Sequence, residues 1–331
     1  MGVKLGQIIK GREIDVSILA GKKIGVDAFN WVYQFLTTIR LADGSQLTDR
    51  NGKVTSHLNG LFYRCINLLS NNITPIFVFD GKAPKFKKNT LVQREEAKEH
   101  ARAMAMEAKT VEERAMYMKR ASAIDDYIIE SSKALLSYMG VPFIQAPAEG
   151  EAQASVMNSG GLVYCVASQD YDTLLFGAER VVRNLNVTNR KKIPGKGIRG
   201  NVPPEMIEMA DYASLGLDRE KLVLIGLLVG TDYNSGVQGI GPKKALKLVK
   251  KMTKEEILSS FDFGTSSDIN EIFSYFISPN VTRLEKLPER KSPDREALLK
   301  FLSEEHGFAA DRVISSLEKI KISENSLFQY G

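Results

Sequence analysis

The sequence predicts an α/β fold in which a mostly parallel central sheet is flanked by helices. Four short apolar runs, rich in Val, Ile and Phe, have the length and composition of strands buried on both faces. The segments between the runs have helical length and period, the alternation that a parallel sheet requires. The four runs are residues 23–26, 73–79, 141–144 and 161–167.

The first half of the chain contains two predicted strands and a predicted helical insertion. The run at 23–26 ends at Asp27, and apolar residues at helical spacing from Phe29 to Leu36 predict a helix directly after it. The second run ends at Asp80. Residues 82–130 carry no strand signal and are charged and rich in Met and Ala, so we expect inserted helices there.

The second half of the chain begins with two more predicted strands, and helices are predicted after them. The run at 141–144 precedes a helix predicted over 151–157, and the run at 161–167 is the last predicted strand. From about Pro203 onward we expect helices throughout. These include a buried helix at 222–229, a glycine-punctuated turn at 236–242 and a helix at 311–320.

Composition excludes several classes of protein. The longest apolar stretches are far below the roughly 20 residues of a membrane span, and the amino terminus has no apolar signal core, so we expect an intracellular protein without a membrane partner. The two cysteines, Cys65 and Cys165, lie in apolar runs and are predicted to be buried thiols. Three histidines are too few for a histidine-based metal site.

Positive charge is concentrated in three segments, although the net charge is only +5. Residues 82–120 contain eleven Lys or Arg against six acids, while residues 183–199 and 243–254 each contain six basic residues and no acid. Any one segment alone is typical of a solvated helix face. Together they indicate a track for a polyanion, because clustered rather than total charge binds phosphates.

Seven acidic residues stand where α/β sheets place their sites. Four follow predicted strands at their carboxyl ends, two begin a helix and one follows the buried helix. Any one of them alone is better explained as a helix cap or a solvated loop residue. Seven carboxylates in one cleft, however, would repel one another unless hard cations neutralise them. Oxygen ligands select Mg²⁺, with Mn²⁺ as a substitute, and two such ions about 4 Å apart serve phosphodiester hydrolysis. The seven are Asp27, Asp80, Glu149, Glu151, Asp170, Asp172 and Asp232.

The motifs around these acids resemble the flap endonuclease family in its archaeal form. The similarity extends from residue 1 to about residue 260, and weakly to 328, with every acid in the family's order and spacing. The motifs are residues 24–28 (IGVDA), 78–84 (VFDGKAP), 146–154 (APAEGEAQA), 167–177 (ASQDYDTLLFG) and 230–245 (GTDYNSGVQGIGPKKA). The resemblance implies that the seven acids hold two catalytic metal ions, Asp232 partly through water.

The resemblance also assigns residues that contact DNA. Lys87 and Arg94 match a pair at the base of a helical arch that contacts the scissile phosphate, although a solvated helix face explains them too. Tyr33 matches an aromatic that stacks on a base, but its spacing from Phe29 and Phe35 also fits core packing. Residues aligned with other DNA contacts, including the recognition of a one-nucleotide 3′ flap, are Gly2, Arg40 and Thr55.

A helix-two-turn-helix element is implied at about residues 220–255. Its turn, which contains Gly239 and Gly241, matches one that holds a K⁺ ion, and a turn without ligand is the alternative. Lys243 and Lys244 follow at a helix start and are expected to hold a phosphate of the duplex.

The predicted organisation follows from the resemblance. An N-terminal nuclease part covers 1–98, with the arch inserted at about 82–130, an internal nuclease part covers 116–258, and a helical part covers 259–331. Two segments depart from the family pattern. The loop at 48–54 replaces a more acidic stretch, and the tail at 322–331 lacks the Gln-x-x-Leu-x-x-aromatic-aromatic motif with which relatives bind the sliding clamp. We expect a monomer acting on branched DNA with a 5′ flap.

The predicted function is a structure-specific, Mg²⁺-dependent 5′ flap endonuclease with 5′–3′ exonuclease activity, acting in Okazaki-fragment maturation and long-patch base excision repair. A PIN-type ribonuclease shares an acidic α/β core but needs neither the arch nor the element at 236–245. A non-catalytic DNA-junction binding protein is the other alternative, although such a protein gains nothing from repelling carboxylates beside phosphate.

Overall fold

A computed structural model describes residues 3–185, 190–192 and 199–327, and it describes only the backbone for 190–192, 199–201 and 321–327. Gly2, most of the basic segment beyond Arg183 and the end of the tail therefore lie outside the described side chains.

The described chain alternates short strands and helices. The strands are β1 Arg12–Glu13, β2 Lys23–Asp27, β3 Thr74–Phe79, β4 Phe143–Gln145, β5 Cys165–Ala167, β6 Arg180–Arg183, β7 Arg190–Lys192, β8 Arg199–Asn201 and β9 Glu205–Glu208. The helices are α1 Ala28–Thr38, α2 Ser56–Ser70, α3 Lys88–Glu107, α4 Val111–Arg120, α5 Asp126–Tyr138, α6 Gly150–Ser159, α7 Asp172–Leu175, α8 Met209–Ala213, α9 Arg219–Val229, α10 Pro242–Val249, α11 Lys254–Ser260, α12 Ile269–Ile277, α13 Arg295–Leu299 and α14 Ala310–Leu327. A π-helical segment, Lys300–Glu305, continues α13.

Seven strands form the central sheet in the order β1-β9-β6-β5-β2-β3-β4. The five strands from β6 to β4 are parallel, and β9 and β1 add an antiparallel edge. In the register at the centre, Val26 of β2 lies between Ala167 of β5 and Phe77 of β3. The carboxyl ends of β5, β2, β3 and β4 consequently lie side by side. The predicted α/β fold with a mostly parallel sheet is confirmed.

Both faces of the sheet are buried because alternate residues enter two different apolar clusters. On β3, Ile76 and Val78 belong to one cluster, and Phe77 and Phe79 belong to the other. This is why the strand reads as a continuous apolar run rather than an alternating one. The thiols of Cys65 and Cys165 are free and buried, as predicted.

The prediction of helices throughout from Pro203 onward is wrong at two places. Residues 278–294, between α12 and α13, form neither helix nor strand. Glu205–Glu208 is strand β9, which pairs antiparallel with β6 and with β1. Met206 and Ile207 are fully buried there. A four-residue segment between charged ends carries little strand signal by itself, and its conformation is set by partners about 20 and 200 residues away in sequence. The strands β1, β6, β7 and β8 were not predicted either.

The inserted helices are present as α3 and α4, followed by the start of α5. They are solvated, since Ala101 is the one buried residue of α3 and α4 has none. Thr110 caps the second of them by accepting a hydrogen bond from the backbone N–H of Glu113 at 3.1 Å. None of the described helices combines the length and the apolar character of a membrane span.

Candidate active site

Six of the seven predicted acids lie at the edge where the parallel strands end. Asp27 ends β2, Asp80 follows β3, the two glutamates follow β4 and the last two aspartates follow β5. The seventh, Asp232, comes from the turn after α9. The sheet order places these strand ends next to one another, so the topology gathers residues that are far apart in sequence.

Asp27 and Asp170 are joined through one residue of α1, Asn30. The carboxylate of Asp27 caps this helix by accepting a hydrogen bond from the backbone N–H of Asn30 at 3.0 Å. The amide nitrogen of Asn30 donates to Asp170 Oδ2 at 3.0 Å. The amide oxygen of Asn30 is buried without a protein partner. A polar acceptor of this kind is suited to a water or ion in the same cleft.

The backbone of Gly150 fixes the carboxylate of Asp80. Its N–H donates to Asp80 Oδ1 at 2.7 Å. A Cβ atom at Gly150 would lie 2.9 Å from Asp80 Oδ1 and from the carbonyl oxygen of Val78, closer than side-chain carbons approach. Glycine is therefore required between the two glutamates, because the helix start must come this close to β3.

Ser168 connects three parts of the cluster. Its hydroxyl lies 3.4 Å from Asp27 Oδ2 and 3.2 Å from Glu151 Oε1, and it accepts a hydrogen bond from the backbone N–H of Asp170 at 3.2 Å. Asp172 is held separately, since the backbone N–H of Val3 donates to its Oδ1 at 2.8 Å. The acids thus occupy fixed positions rather than sampling solvent.

Burial and mutual repulsion disfavour negative charge in this cleft. Burial is the main cause that raises the pKa of Asp27 to about 7, and the neighbouring Asp80 adds to it. Burial likewise raises the pKa of Asp172 to about 7 despite the hydrogen bond from Val3. The pKa values of Asp80, Glu149 and Glu151 are raised for the same reason. The cluster is therefore a site that positive charge stabilises.

Two cations from the inserted segment reach the other side of the cluster. The ammonium group of Lys87 forms an ion pair with Glu149 and lies 3.4 Å from Asp232 Oδ2. Arg94 Nη2 lies 2.5 Å from Asp232 Oδ1. Burial alone would lower the pKa of Lys87, but Glu149 and Asp232 raise it above its usual value. Burial opposes ionisation of Asp232, yet positive neighbours including Arg94 and Lys87 hold its pKa below the usual value.

The donor chemistry of the cleft fits Mg²⁺. Every ligand that the cluster offers is a hard oxygen, and buried carboxylates with raised pKa values bind a divalent cation in place of protons. Among the described residues, no group of three or more Asp, Glu, His or Cys side chains is arranged so that it could hold a metal ion by itself. Mg²⁺ usually takes one or two carboxylates and completes its shell with water and phosphate.

The residues predicted to contact DNA differ in accessibility. Tyr33 is 42% exposed on α1, so its ring is available for stacking rather than packed in the core. Thr55 is buried just before α2. The guanidinium of Arg40 donates to the carbonyl oxygens of Leu36 and Gly44 at 2.9 and 2.6 Å and to Ser122 Oγ at 2.5 Å.

The glycine turn and the two lysines after it face solvent. Gly239 has a φ of +73°, which favours glycine, and nothing lies within 4 Å of the positions where Cβ atoms would stand at Gly239 and Gly241. Gly241 is the N-cap of α10, and Lys243 and Lys244 are exposed in its first turn. Two exposed basic side chains therefore lie together at one helix start.

Several residues outside the predicted set also shape the cleft. Asn30, Ser168 and Gly150 orient carboxylates, as described above. Tyr233 donates its hydroxyl hydrogen to Glu149, and Thr90 donates to the backbone carbonyl oxygen of Asp232 at 2.6 Å. All five stand within three residues of a predicted acid or within the arch segment, but their contacts cross between elements and leave no local signal.

The chain is similar to known proteins over nearly its whole length. The XPG N-terminal domain matches residues 1–101, and the XPG I-region matches residues 140–232. Flap endonuclease 1 of Pyrococcus furiosus is 48% identical over 97% of this chain and 95% of that protein. Flap endonuclease 1 of Archaeoglobus fulgidus is 44% identical over 97% of this chain and 96% of that protein. This chain belongs to the flap endonuclease family.

Solved structures agree with the family assignment. Flap endonuclease-1 from Methanococcus jannaschii superposes with a TM-score of 0.78 at 42% identity, over 98% of this chain and 100% of that one. The catalytic core of Rad2 in complex with DNA substrate shares the fold, with a TM-score of 0.71 at 23% identity over 97% of this chain and all of that one. These comparisons confirm the predicted family and the α/β nuclease fold. They also confirm the prediction that the protein is a hydrolase, a structure-specific 5′ flap endonuclease.

Proposed function

We propose that this flap endonuclease hydrolyses one phosphodiester bond in the cleft formed by the seven acids, at the junction of a 5′ single-stranded flap with duplex DNA. The observation that carries the proposal is the juxtaposition of buried carboxylates with Lys87 and Arg94 at the carboxyl edge of the sheet. Cations stabilise the charged form of carboxylates whose pKa values are raised, and they also stabilise the negative charge of a bound phosphate.

Two Mg²⁺ ions, with Mn²⁺ as a substitute, would be held by the seven acids, and Asp232 would contribute partly through water. When bound, these ions would supply a lowered pKa for an attacking water and positive charge beside the scissile phosphate. The protein fixes the ligands beforehand, because Asn30, Gly150 and Ser168 hold carboxylates in place by hydrogen bonds. The expected products carry a 5′ phosphate and a 3′ hydroxyl.

Lys87 and Arg94 would stabilise the charge that grows on the phosphate in the transition state. Both are already beside the acids, and Lys87 is largely buried, with 14% of its side chain exposed. A cation in a partly desolvated site interacts with a phosphate more strongly than one in solvent. Each of the two cations would exchange its carboxylate partner, Glu149 or Asp232, for the phosphate, and the released carboxylate would become available to hold a divalent ion.

The exposed helix start at Lys243 and Lys244 would hold a phosphate of the duplex, with a K⁺ ion in the turn of Gly239 and Gly241. Tyr33 would stack on a base beside the junction. Arg40 and Thr55 would recognise a one-nucleotide 3′ flap. Arg40 would then exchange its hydrogen bonds within the protein for contacts to DNA. Gly2 would also contact DNA but lies outside the described residues.

The biological role that we infer is DNA replication and repair, through Okazaki-fragment maturation and long-patch base excision repair. The same site would carry 5′–3′ exonuclease activity at nicks and gaps. The protein would act as an intracellular monomer on branched DNA. The sliding clamp is a partner expected from the family, although the tail lacks the clamp-binding motif and its last residues lie outside those described.

One gel assay tests the proposal. A 5′ flap, a blunt duplex and a single-stranded RNA, each labelled, are incubated with and without Mg²⁺. We expect cleavage of the flap at its junction in Mg²⁺ and none in EDTA. Preferred cleavage of RNA would indicate the ribonuclease instead, and binding to the flap without cleavage under any divalent ion would indicate a junction-binding protein.

A further inference from the structure

The basic segment at 183–199 begins with an arginine that faces inward. Arg183 is the last residue of β6, the neighbour of β5 in the sheet, and 22% of its side chain is exposed. Its guanidinium carbon lies 4.4 Å from the centre of the Tyr171 ring. This arginine therefore packs against the loop that carries two of the predicted metal ligands.

The contacts of Arg183 fall on the residues between and before those ligands. Nε donates to the backbone carbonyl oxygen of Gln169 at 3.2 Å, and Nη1 donates to the hydroxyl of Tyr171 at 2.8 Å. Asp170 lies between these two anchor points and Asp172 follows the second. A planar guanidinium with several fixed donors holds two acceptors in one geometry, which a single ammonium group does not do.

The guanidinium is itself anchored from the antiparallel edge of the sheet. Glu205 Oε2 of β9 lies 3.3 Å from Arg183 Nη1, and Glu205 Oε1 accepts from the backbone N–H of Gly11 at 2.8 Å. The amino-terminal segment also covers Tyr171, since a Cβ at Gly6 would lie 2.7 Å from its hydroxyl oxygen. The arginine thus connects a rigid strand pair with a loop that has no regular structure.

We propose that Arg183 is a positioning residue, which braces residues 169–171 so that Asp170 and Asp172 present their carboxylates to the divalent ions. This inference rests on the proposed metal-binding role of the seven acids. The brace acts through backbone and hydroxyl contacts and does not touch the reacting phosphate. Groups that orient metal ligands typically change metal affinity by 10- to 100-fold when removed.

The chain offers a closely matched control at the other end of the same strand. Arg180 also belongs to β6, also forms an ion pair with a glutamate of β9, Glu208 at 3.3 Å, and also lies over a tyrosine ring, that of Tyr164 at 5.0 Å. The contacts of Arg180 do not include residues 169–171. Both arginine-to-alanine variants lose one positive charge, one ion pair and one ring contact.

Charge and geometry predict opposite signs for the test. Removing a positive charge from the neighbourhood of a cation site tightens binding of the cation. Loss of the brace weakens it, because the carboxylates no longer share one fixed arrangement. A weaker affinity in Arg183→Ala than in Arg180→Ala is therefore attributable to positioning alone.

The experiment measures Mn²⁺ binding to the full chain without DNA, by isothermal titration calorimetry or by the electron paramagnetic resonance signal of free Mn²⁺. We expect Arg183→Ala to bind about tenfold more weakly than Arg180→Ala. In cleavage assays we expect Arg183→Ala to need more Mg²⁺ for half-maximal rate, with the rate at saturating Mg²⁺ largely restored. Equal Mn²⁺ affinities in the two variants would overturn the proposal.

Two further variants keep the test decisive if Arg183→Ala loses stability. Tyr171→Phe keeps the ring and removes the hydroxyl acceptor, so we expect a smaller loss of Mn²⁺ affinity, and an unchanged affinity would count against the brace. Arg183→Lys keeps the charge without the paired donors, and full restoration by lysine would also count against it. Absence of Mn²⁺ binding in the unmodified protein would instead contradict the metal assignment itself.

Discussion

Lys87 Nζ lies 3.4 Å from Asp232 Oδ2 and also forms an ion pair with Glu149. The lysine comes from the inserted segment before α3, Asp232 from the turn after α9, and Glu149 from the loop after β4. One ammonium group therefore links three separate regions of the chain at the acidic cleft. It serves as a counter-ion for the acids and is placed where a phosphate would also need one.

Lys87→Ala is expected to lower the single-turnover cleavage rate by roughly 10²-fold with little change in DNA affinity. The reason is that the ammonium group would act on charge that develops only in the transition state. Rapid-quench measurement at saturating enzyme checks the rate, and fluorescence anisotropy checks the affinity.

The matched control is Lys85→Ala, since Lys85 is 77% exposed and pairs with Glu271 at the surface. A loss of affinity without a loss of rate in Lys87→Ala would identify Lys87 as an ordinary phosphate tether.

Asp170→Ala is expected to abolish cleavage while binding to flap DNA survives. The substitution removes a carboxylate that Asn30 holds in the cleft and also removes a charge that repels phosphate. Cleavage is measured at saturating Mg²⁺, and binding is measured in Ca²⁺. Glu130→Ala, at an exposed position paired with Lys133, is the control. Turnover like that of the unmodified protein in Asp170→Ala would refute the site assignment.

Lys243→Ala combined with Lys244→Ala is expected to weaken binding of every duplex-containing substrate. The slope of log affinity against log salt concentration should become shallower by about 1 to 2, because each neutralised phosphate contributes about 0.9. The cleavage rate at saturating enzyme should stay within a few-fold. Anisotropy across a range of KCl concentrations in Ca²⁺ buffer measures the slope.

Lys22→Ala with Lys23→Ala provides the comparison for this pair. These lysines are also adjacent and exposed, but they lie at the amino end of β2, opposite the acidic edge. If the slope does not move in the first double variant, the helix start is not part of the binding track.

The metal-free protein is expected to lose stability as the pH rises from about 4 toward 7. The folded-state pKa values of Asp27 and Asp172 are raised to about 7, mainly by burial, from an ordinary value of 3.8. Between pH 3.8 and about 7, the folded protein therefore keeps protons on these carboxyl groups that the unfolded chain releases. The stability that these protons contribute is complete below the unfolded-state pKa and is lost as the pH rises through the folded-state pKa.

Thermal denaturation in EDTA at several pH values measures this effect. Mg²⁺ should raise the melting temperature more at pH 8 than at pH 5, since protons and the ion compete for the same carboxylates. The combined variant Asp27→Asn and Asp172→Asn should show a shallower fall with pH. A fall as steep in that variant as in the unmodified protein would place the titrating groups elsewhere.

Local sequence patterns are sufficient to predict the strands β2, β3, β4 and β5, the inserted helices and the positions of the acids at the strand ends. Each of these features has a local cause. Strands that are buried on both faces have continuous apolar sequences. The acids that follow these strands lie close together because parallel strands end at the same edge of the sheet. Long contiguous motifs, such as residues 167–177, also allow the family to be recognised, because many residue types match it in an unbroken stretch.

Which partners these groups contact depends instead on tertiary packing. Strand β9 forms because β6 and β1 offer it backbone hydrogen bonds, although its own four residues carry little signal. Arg40 is occupied by internal acceptors, and Arg183, which the sequence placed in a basic segment, turns inward to Tyr171. Such contacts join residues that are distant in sequence, and their geometry depends on how the sheet and helices pack rather than on any local pattern.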